Sequence, residues 1–130
     1  RNRKKIFTPF LMENHSMIKG KIVLVPFPFD DFSASKVRPA VCLTNPIGPH
    51  SHVIVSFISS RIPSDLLETD LILDSTQEDF TKTGLRVSST LRLHRLMTVT
   101  TTFFLRELGE MPNSIQAELD KRLRKLFNLN

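Results

Sequence analysis

A chain of 130 residues, 40% apolar and 24% charged, has the composition of one globular domain and can bury a core without covalent staples. Its single cysteine, Cys42, excludes an internal disulfide and a multi-cysteine zinc site, and fits a reducing cytoplasm. No apolar run is long enough to span a bilayer, and the basic start is not followed by the apolar region and cleavage site of a secretory signal.

The net charge of +5 is unevenly spread. Residues 1–16 carry Arg1, Arg3, Lys4 and Lys5 against Glu13, so most of the excess lies ahead of the domain. Met17 opens a clean strand pattern. Residues 1–16 are therefore expected to be a tail, a tag or read-through segment, and residues 17–130 the domain. Inside the domain, Ser64 to Asp79 holds acids and no base, whereas Phe80 to Arg106 holds Lys82, Arg86, Arg92, Arg95 and Arg106 and no acid. Such segregation can build a positive face that attracts phosphate, or can be a solvated surface with no partner.

In chain order, residues 20–29 begin as a β-branched run and end in alternating Pro and Phe, the pattern of a strand finishing at a sheet edge. Residues 30–37 are small and polar and are expected to form a loop. A second strand follows at 39–45, a Pro/Gly turn at 46–51, a third strand at 52–59 and a short fourth at 69–73. Asp74 or Ser75 is expected to cap a helical turn or two through Thr81, which Gly84 ends. Two further strands are expected at 86–93 and 96–105, rich in β-branched residues, and a last short one at 105–111. After Pro112, the apolar Ile115, Leu119, Leu123, Leu126 and Phe127 fall on one face of an amphipathic helix. Basic residues fill its final turns, where cations suit the helix dipole. The fold class is mainly β, a small barrel packed by a C-terminal helix.

Familiar motifs are absent: no Walker loop, dinucleotide fingerprint or zinc-protease helix occurs. His50 and His52 lack a nearby acid and read as loop histidines. Cys42 sits in an apolar strand and reads as a core residue. With no Trp or Tyr, any base stacking must use Phe or Arg.

The informative segments are GKIVLVPFPFDD, VRPAVCLTN, HVIVSFISS, TGLRVSSTLRLHRLMTV and LRELGEMPNSIQAELDKRL, in that order. From about Ile18 to the C-terminus they resemble the MazF/PemK toxin ribonucleases. The resemblance implies a Src-homology-3-like barrel of the MazF/CcdB type, a homodimer, and single-stranded RNA lying across its interface. It implies a toxin held in check by a cognate antitoxin, and cleavage without metal or other cofactor. In that chemistry the ribose 2′-hydroxyl attacks the adjacent phosphate and leaves a 2′,3′-cyclic phosphate.

Within the resemblance, Arg38 takes the place of the arginine of the RPA motif and Ser59 that of a hydroxyl residue, usually threonine. A guanidinium can present paired donors to a phosphate that gains charge in the transition state. A serine hydroxyl is a poor base and is assigned to positioning. Apart from the resemblance, the preferred reading of Arg38 is a strand-end arginine paired with Asp30 or Asp31 across the loop. Some relatives carry Arg-x-Asp on the later strand. Here Arg92 matches and His94 stands in place of the acid, either as a proton carrier or as a structural residue. The residues expected against RNA are Asp30, Asp31 and Lys36 of the first loop, Ser60 and Arg61 after the third strand, and Arg86, Arg92 and Arg95. The competing reading is a non-catalytic binding module or a CcdB-like gyrase poison, which needs neither Arg38 nor Ser59. A double-stranded DNA regulator is disfavoured, because no helix-turn-helix pattern occurs.

Overall fold

The computed structural model describes residues 17–27 and 36–130. The expected tail and most of the first loop, with Asp30 and Asp31, lie outside the described residues. Six strands form one curled half-barrel sheet: β1 Lys21–Pro26, β2 Val37–Cys42, β3 His52–Ser59, β4 Asp70–Leu73, β5 Ser89–Thr100 and β6 Arg106–Glu110. Their order across the sheet is β4-β5-β3-β2-β1-β6, with antiparallel neighbours throughout. Among the described residues one α-helix, α1 Asn113–Leu126, packs on the sheet after β6.

Both faces of the sheet are covered, which explains why its strands read as nearly continuous apolar runs. Ile22 and Val41 join Ile58, Leu71, Leu73, Leu91 and Leu93 in a core against α1. The alternate residues Val23, Val25, Ala40, Cys42, Val53 and Val55 join Ile18 and Phe104 in a second cluster. Ile18 enters this cluster because Asn45 Oδ1 accepts the N–H groups of both Ile18 and Lys19 at 2.8 Å. Burial in the second cluster, reinforced by Glu107, pushes the Cys42 thiol up to about 12, so it is a packing group and not a thiolate nucleophile.

The helix packs Ile115, Leu119, Leu123 and Leu126 on the first core, with Leu119 fully buried. Phe127 departs from the expected apolar face and is 54% exposed, because the helix has ended at Leu126 and the chain turns away from the core. Arg122 fastens the helix to the sheet. Its Nε donates to Glu118 at 2.7 Å, and its Nη1 donates to the carbonyl of Glu68 at 3.0 Å and to that of Asp70.

Two expectations need correction. The segments 86–93 and 96–105 are not separate strands. Ser89–Thr100 is one strand whose apolar alternation stops at the exposed pair His94 and Arg95. The register explains the break. Leu91 opposes Ile58 and Leu96 opposes Ser56, so Arg92–Arg95 occupies an irregular stretch facing little more than Phe57, where the chain must bulge. The helical turn after Asp74 is also displaced. Asp74 Oδ1 does accept the Thr76 N–H at 2.9 Å, but this makes a local turn, and the 3-10 helix of this segment comes later, at Phe80–Thr83. Gly84 ends it as expected, with φ of 74° and the backbone of Leu108 too close to admit a side chain.

Candidate functional site

The C-terminal end of β3, the start of β2 and the bulge of β5 meet at one open cleft of about 630 Å³. Arg38, Ser59, Ser60, Arg61, Arg92 and Arg95 all line it, although they are spread over 58 positions from Arg38 to Arg95 of the sequence. Four guanidinium groups converge there with one carboxylate, Asp65. The balance is strongly positive in a confined space, which favours an anionic ligand.

Arg38 is the second residue of β2, opposite Val25, and half-buried. Its guanidinium carbon lies over the Phe27 ring, 5.1 Å from the centroid. Phe27 in turn meets Phe57 edge to face at 4.9 Å. A guanidinium over an aromatic face is attracted by the ring's negative π surface, and its planar set of N–H donors matches a phosphate. These two phenylalanines belong to the site and went unnoticed in the sequence. The Pro-Phe alternation at the end of β1 signals only Phe27 and reads as a strand end, whereas Phe57 sits inside β3 and reads as an ordinary strand residue.

Ser59 is the last residue of β3. Its Oγ accepts the N–H of Arg61 at 3.1 Å, a local turn that also fixes the course of Ser60 and Arg61 around the cleft. With a lone pair so used, the hydroxyl is set to donate its proton toward an anion. This suits positioning and argues against a role as base.

Arg92 is held by Asp70, its partner across the β4–β5 ladder. Nε reaches Oδ1 at 3.1 Å and Nη2 reaches Oδ2 at 3.0 Å. Burial opposes the charged form of Asp70. The fork from Arg92, the N–H of Leu67 and the positive charges of Arg92 and His94 outweigh it and hold the carboxyl below its ordinary range.

The remaining candidates lie elsewhere. His94 is exposed on the β5 bulge and does not line the cleft; its charge acts on Asp70. Lys36 is exposed, and its carbonyl accepts the Phe27 N–H at 2.9 Å, closing the β1–β2 connection beside the cleft. Arg86 is exposed ahead of β5 and is not a lining residue. Of the expected basic face, Lys82 and Arg106 also lie off the cleft. Among the described residues, no group of three or more His, Cys, Asp or Glu side chains could hold a metal ion. No helix among them is long and apolar enough to cross a membrane.

Comparison with known proteins agrees with this architecture. Mycobacterium tuberculosis toxin MazF-mt6 is similar over 85% of this chain and 98% of its own, with a TM-score of 0.64 and 21% identity. An endoribonuclease in complex with its cognate antitoxin, from mycobacterial species, matches over 88% and 96% with a TM-score of 0.63 and 10% identity. The MazE–MazF structure from Deinococcus radiodurans matches over 88% and 99% with a TM-score of 0.62 and 14% identity. At these identities the likeness establishes the fold. A search of curated proteins found no match. Residues 18–127 match the family model described as the PemK-like, MazF-like toxin of type II toxin–antitoxin system. Most of the chain, including every strand and the closing helix, is thus accounted for, and the chain belongs to the PemK-like, MazF-like toxin family of type II toxin–antitoxin systems.

Proposed function

We propose that this protein is an endoribonuclease that cuts single-stranded RNA, with messenger RNA in the cytoplasm as its target, and that the cleft around Arg38 and Ser59 is its active site. The observation that carries the reading is the convergence of Arg38 and Ser59, from two strands, with Arg61, Arg92 and Arg95 on one open cleft. The ribose 2′-oxygen attacks the adjacent phosphorus and the bond to the 5′-oxygen breaks. The products are a 2′,3′-cyclic phosphate and a 5′-hydroxyl. The 2′-proton passes to solvent and the leaving oxygen takes one up.

Charge accumulates on the non-bridging phosphate oxygens as the fifth bond forms. Arg38 stabilises it through its guanidinium N–H groups, with the Phe27 ring beside it. Ser59 donates its hydroxyl to the phosphate and keeps it in line for attack. Because Arg38 keeps its proton throughout the working pH range, it acts by electrostatics and not by proton transfer. His94, off the cleft lining, is given no direct part.

The test is incubation of purified protein with single-stranded RNA in EDTA, alongside Arg38→Ala. Cleavage by the wild type and its loss in the variant support the reading. RNA left intact by the wild type, or cut equally by both, refutes it.

The regulatory context follows from family membership. The cognate antitoxin is proposed to carry an acidic, partly disordered segment that covers the guanidinium-lined cleft; a compact basic inhibitor would contradict this. The working unit is proposed to be a homodimer, which sedimentation at micromolar concentration would read directly.

A further inference from the structure

Asp70 lies outside the cleft, yet its environment is organised around a residue inside it. Its side chain is 0% exposed, and a carboxylate so placed is retained only with strong partners. Both oxygens are occupied. Oδ1 takes Nε of Arg92, and Oδ2 takes Nη2 of Arg92 together with the N–H of Leu67 at 2.9 Å. The backbone carbonyl of Asp70 accepts from Arg122 of α1. The carboxylate is thus held by the turn ahead of β4 and by the strand beside it, while the helix holds the Asp70 backbone.

Arg92 needs such a clamp. It begins the stretch of β5 in which pairing with β3 slips from Ile58↔Leu91 to Ser56↔Leu96, so on that side the ladder does not fix it. Its side chain is nevertheless 31% exposed and lines the cleft. The fork to Asp70 uses the Nε–H and one Nη2–H. The guanidinium has five N–H groups, so the second Nη2 hydrogen and one Nη1 hydrogen lie on the Nη1/Nη2 edge, away from the fork to Asp70.

We propose that Asp70 is a positioning residue for RNA cleavage, holding Arg92 so that its Nη1/Nη2 edge meets an RNA phosphate in the cleft. This rests on the ribonuclease reading given above. The Arg92–Asp70 pair is close to neutral as a unit, so it supplies oriented donors and little net charge. Arg38, Arg61 and Arg95 supply the field. The division of labour has a consequence that a purely structural ion pair would not have. Asp70→Asn removes a negative charge beside the cleft and releases a guanidinium from its fixed orientation. RNA binding is therefore kept or tightened while the chemical step slows.

The experiment measures single-turnover cleavage, binding of a 2′-O-methyl oligonucleotide that cannot be cut, and thermal melting. The proteins are wild type, Asp70→Asn, Asp70→Glu, Arg92→Ala and the Asp70→Asn/Arg92→Ala double variant. A misaligned group costs up to about a hundredfold in rate, so Asp70→Asn is expected to cleave about ten- to a hundredfold more slowly with binding no weaker. Asp70→Glu is expected to recover part of the loss, and the Asp70 effect is expected to vanish when Arg92 is already absent. Wild-type rates in Asp70→Asn, or an equal loss with and without Arg92, overturn the proposal. If Asp70→Asn fails to fold, the guanidinium 15N–1H signals of wild-type Arg92, assigned by their loss in Arg92→Lys, are followed during titration with the same oligonucleotide. They are expected to move on binding, and unmoved signals overturn the proposal. If the wild type cuts no RNA, the ribonuclease reading fails, and these signals still decide whether the Asp70-held guanidinium contacts a nucleic-acid phosphate.

Discussion

Replacing Arg38 isolates the largest catalytic contribution assigned to the cleft. In Arg38→Ala the guanidinium over Phe27 is lost, and with it a donor pair already oriented before the phosphate gains charge. Removal of one preorganised donor costs about a hundred- to a thousandfold in rate, or about 2.7–4 kcal/mol. The stacking contact with Phe27 contributes only about 0.5–1 kcal/mol at a partly exposed position, so the fold should survive with a small fall in melting temperature. Arg38→Lys keeps the charge but offers a point donor in place of a planar edge. Its rate should lie between the alanine variant and the wild type. Removing one phosphate contact should also lower the slope of log binding constant against log salt by about 0.7, the value for a single strand. The assay is single-turnover cleavage at saturating protein, with binding titrations at several salt concentrations. A lysine variant as fast as wild type would show that a simple positive field is enough. An alanine variant as fast as wild type would remove Arg38 from the chemistry.

Other outcomes follow from the same geometry. Ser59→Ala should slow cleavage by about ten- to a hundredfold, the worth of one hydrogen bond to a charged group, while Ser59→Thr keeps the hydroxyl and should stay near wild type; equal rates in all three would make the Arg61 turn purely structural. His94→Ala should leave the pH–rate profile unchanged, since His94 does not line the cleft, and loss of a limb near about pH 6 to 7 would return it to the reaction as a proton carrier. Asp70 has a depressed carboxyl pKa, so its stabilising effect is complete above its unfolded value of about 3.9 and is lost as pH falls through the lower folded value; urea midpoints for wild type and Asp70→Asn should converge on acidification below about pH 4, and parallel curves would contradict this. Removal of residues 1–16 should leave cleavage intact, because the described cleft-lining residues all come later in the chain; a large loss would make the tail part of the site.

Much of this architecture is legible in the amino-acid order, for reasons that individual elements make clear. The apolar period of four and three from Ile115 to Leu126 reports α1 directly, because a helix has to bury that stripe. Strand β3 stands out because both of its faces are buried. Arg38 and Ser59 were legible through the segments that resemble the family, and the structure places both on one cleft. The bulge of β5 was not legible. Exposed His94 and Arg95 look like a loop between strands, and only the offset between Ile58↔Leu91 and Ser56↔Leu96 reveals a continuous strand. The Asp70–Arg92 fork was equally hidden, because the partners are 22 residues apart and nothing local in either segment specifies their register. The contact of Arg38 with the Phe27 ring depends on a cross-strand diagonal and is hidden for the same reason.

The central claim is that the cleft directs a ribose 2′-hydroxyl against its own phosphate. The most direct measurement compares a susceptible RNA with the same strand carrying one 2′-deoxynucleotide on the 5′ side of the cut, in EDTA, with the product ends identified by mass spectrometry. The account predicts a 2′,3′-cyclic phosphate and a 5′-hydroxyl from the RNA, and no cut at the substituted position although the strand still binds. A 5′-phosphate product, or undiminished cleavage at the 2′-deoxy position, would contradict it.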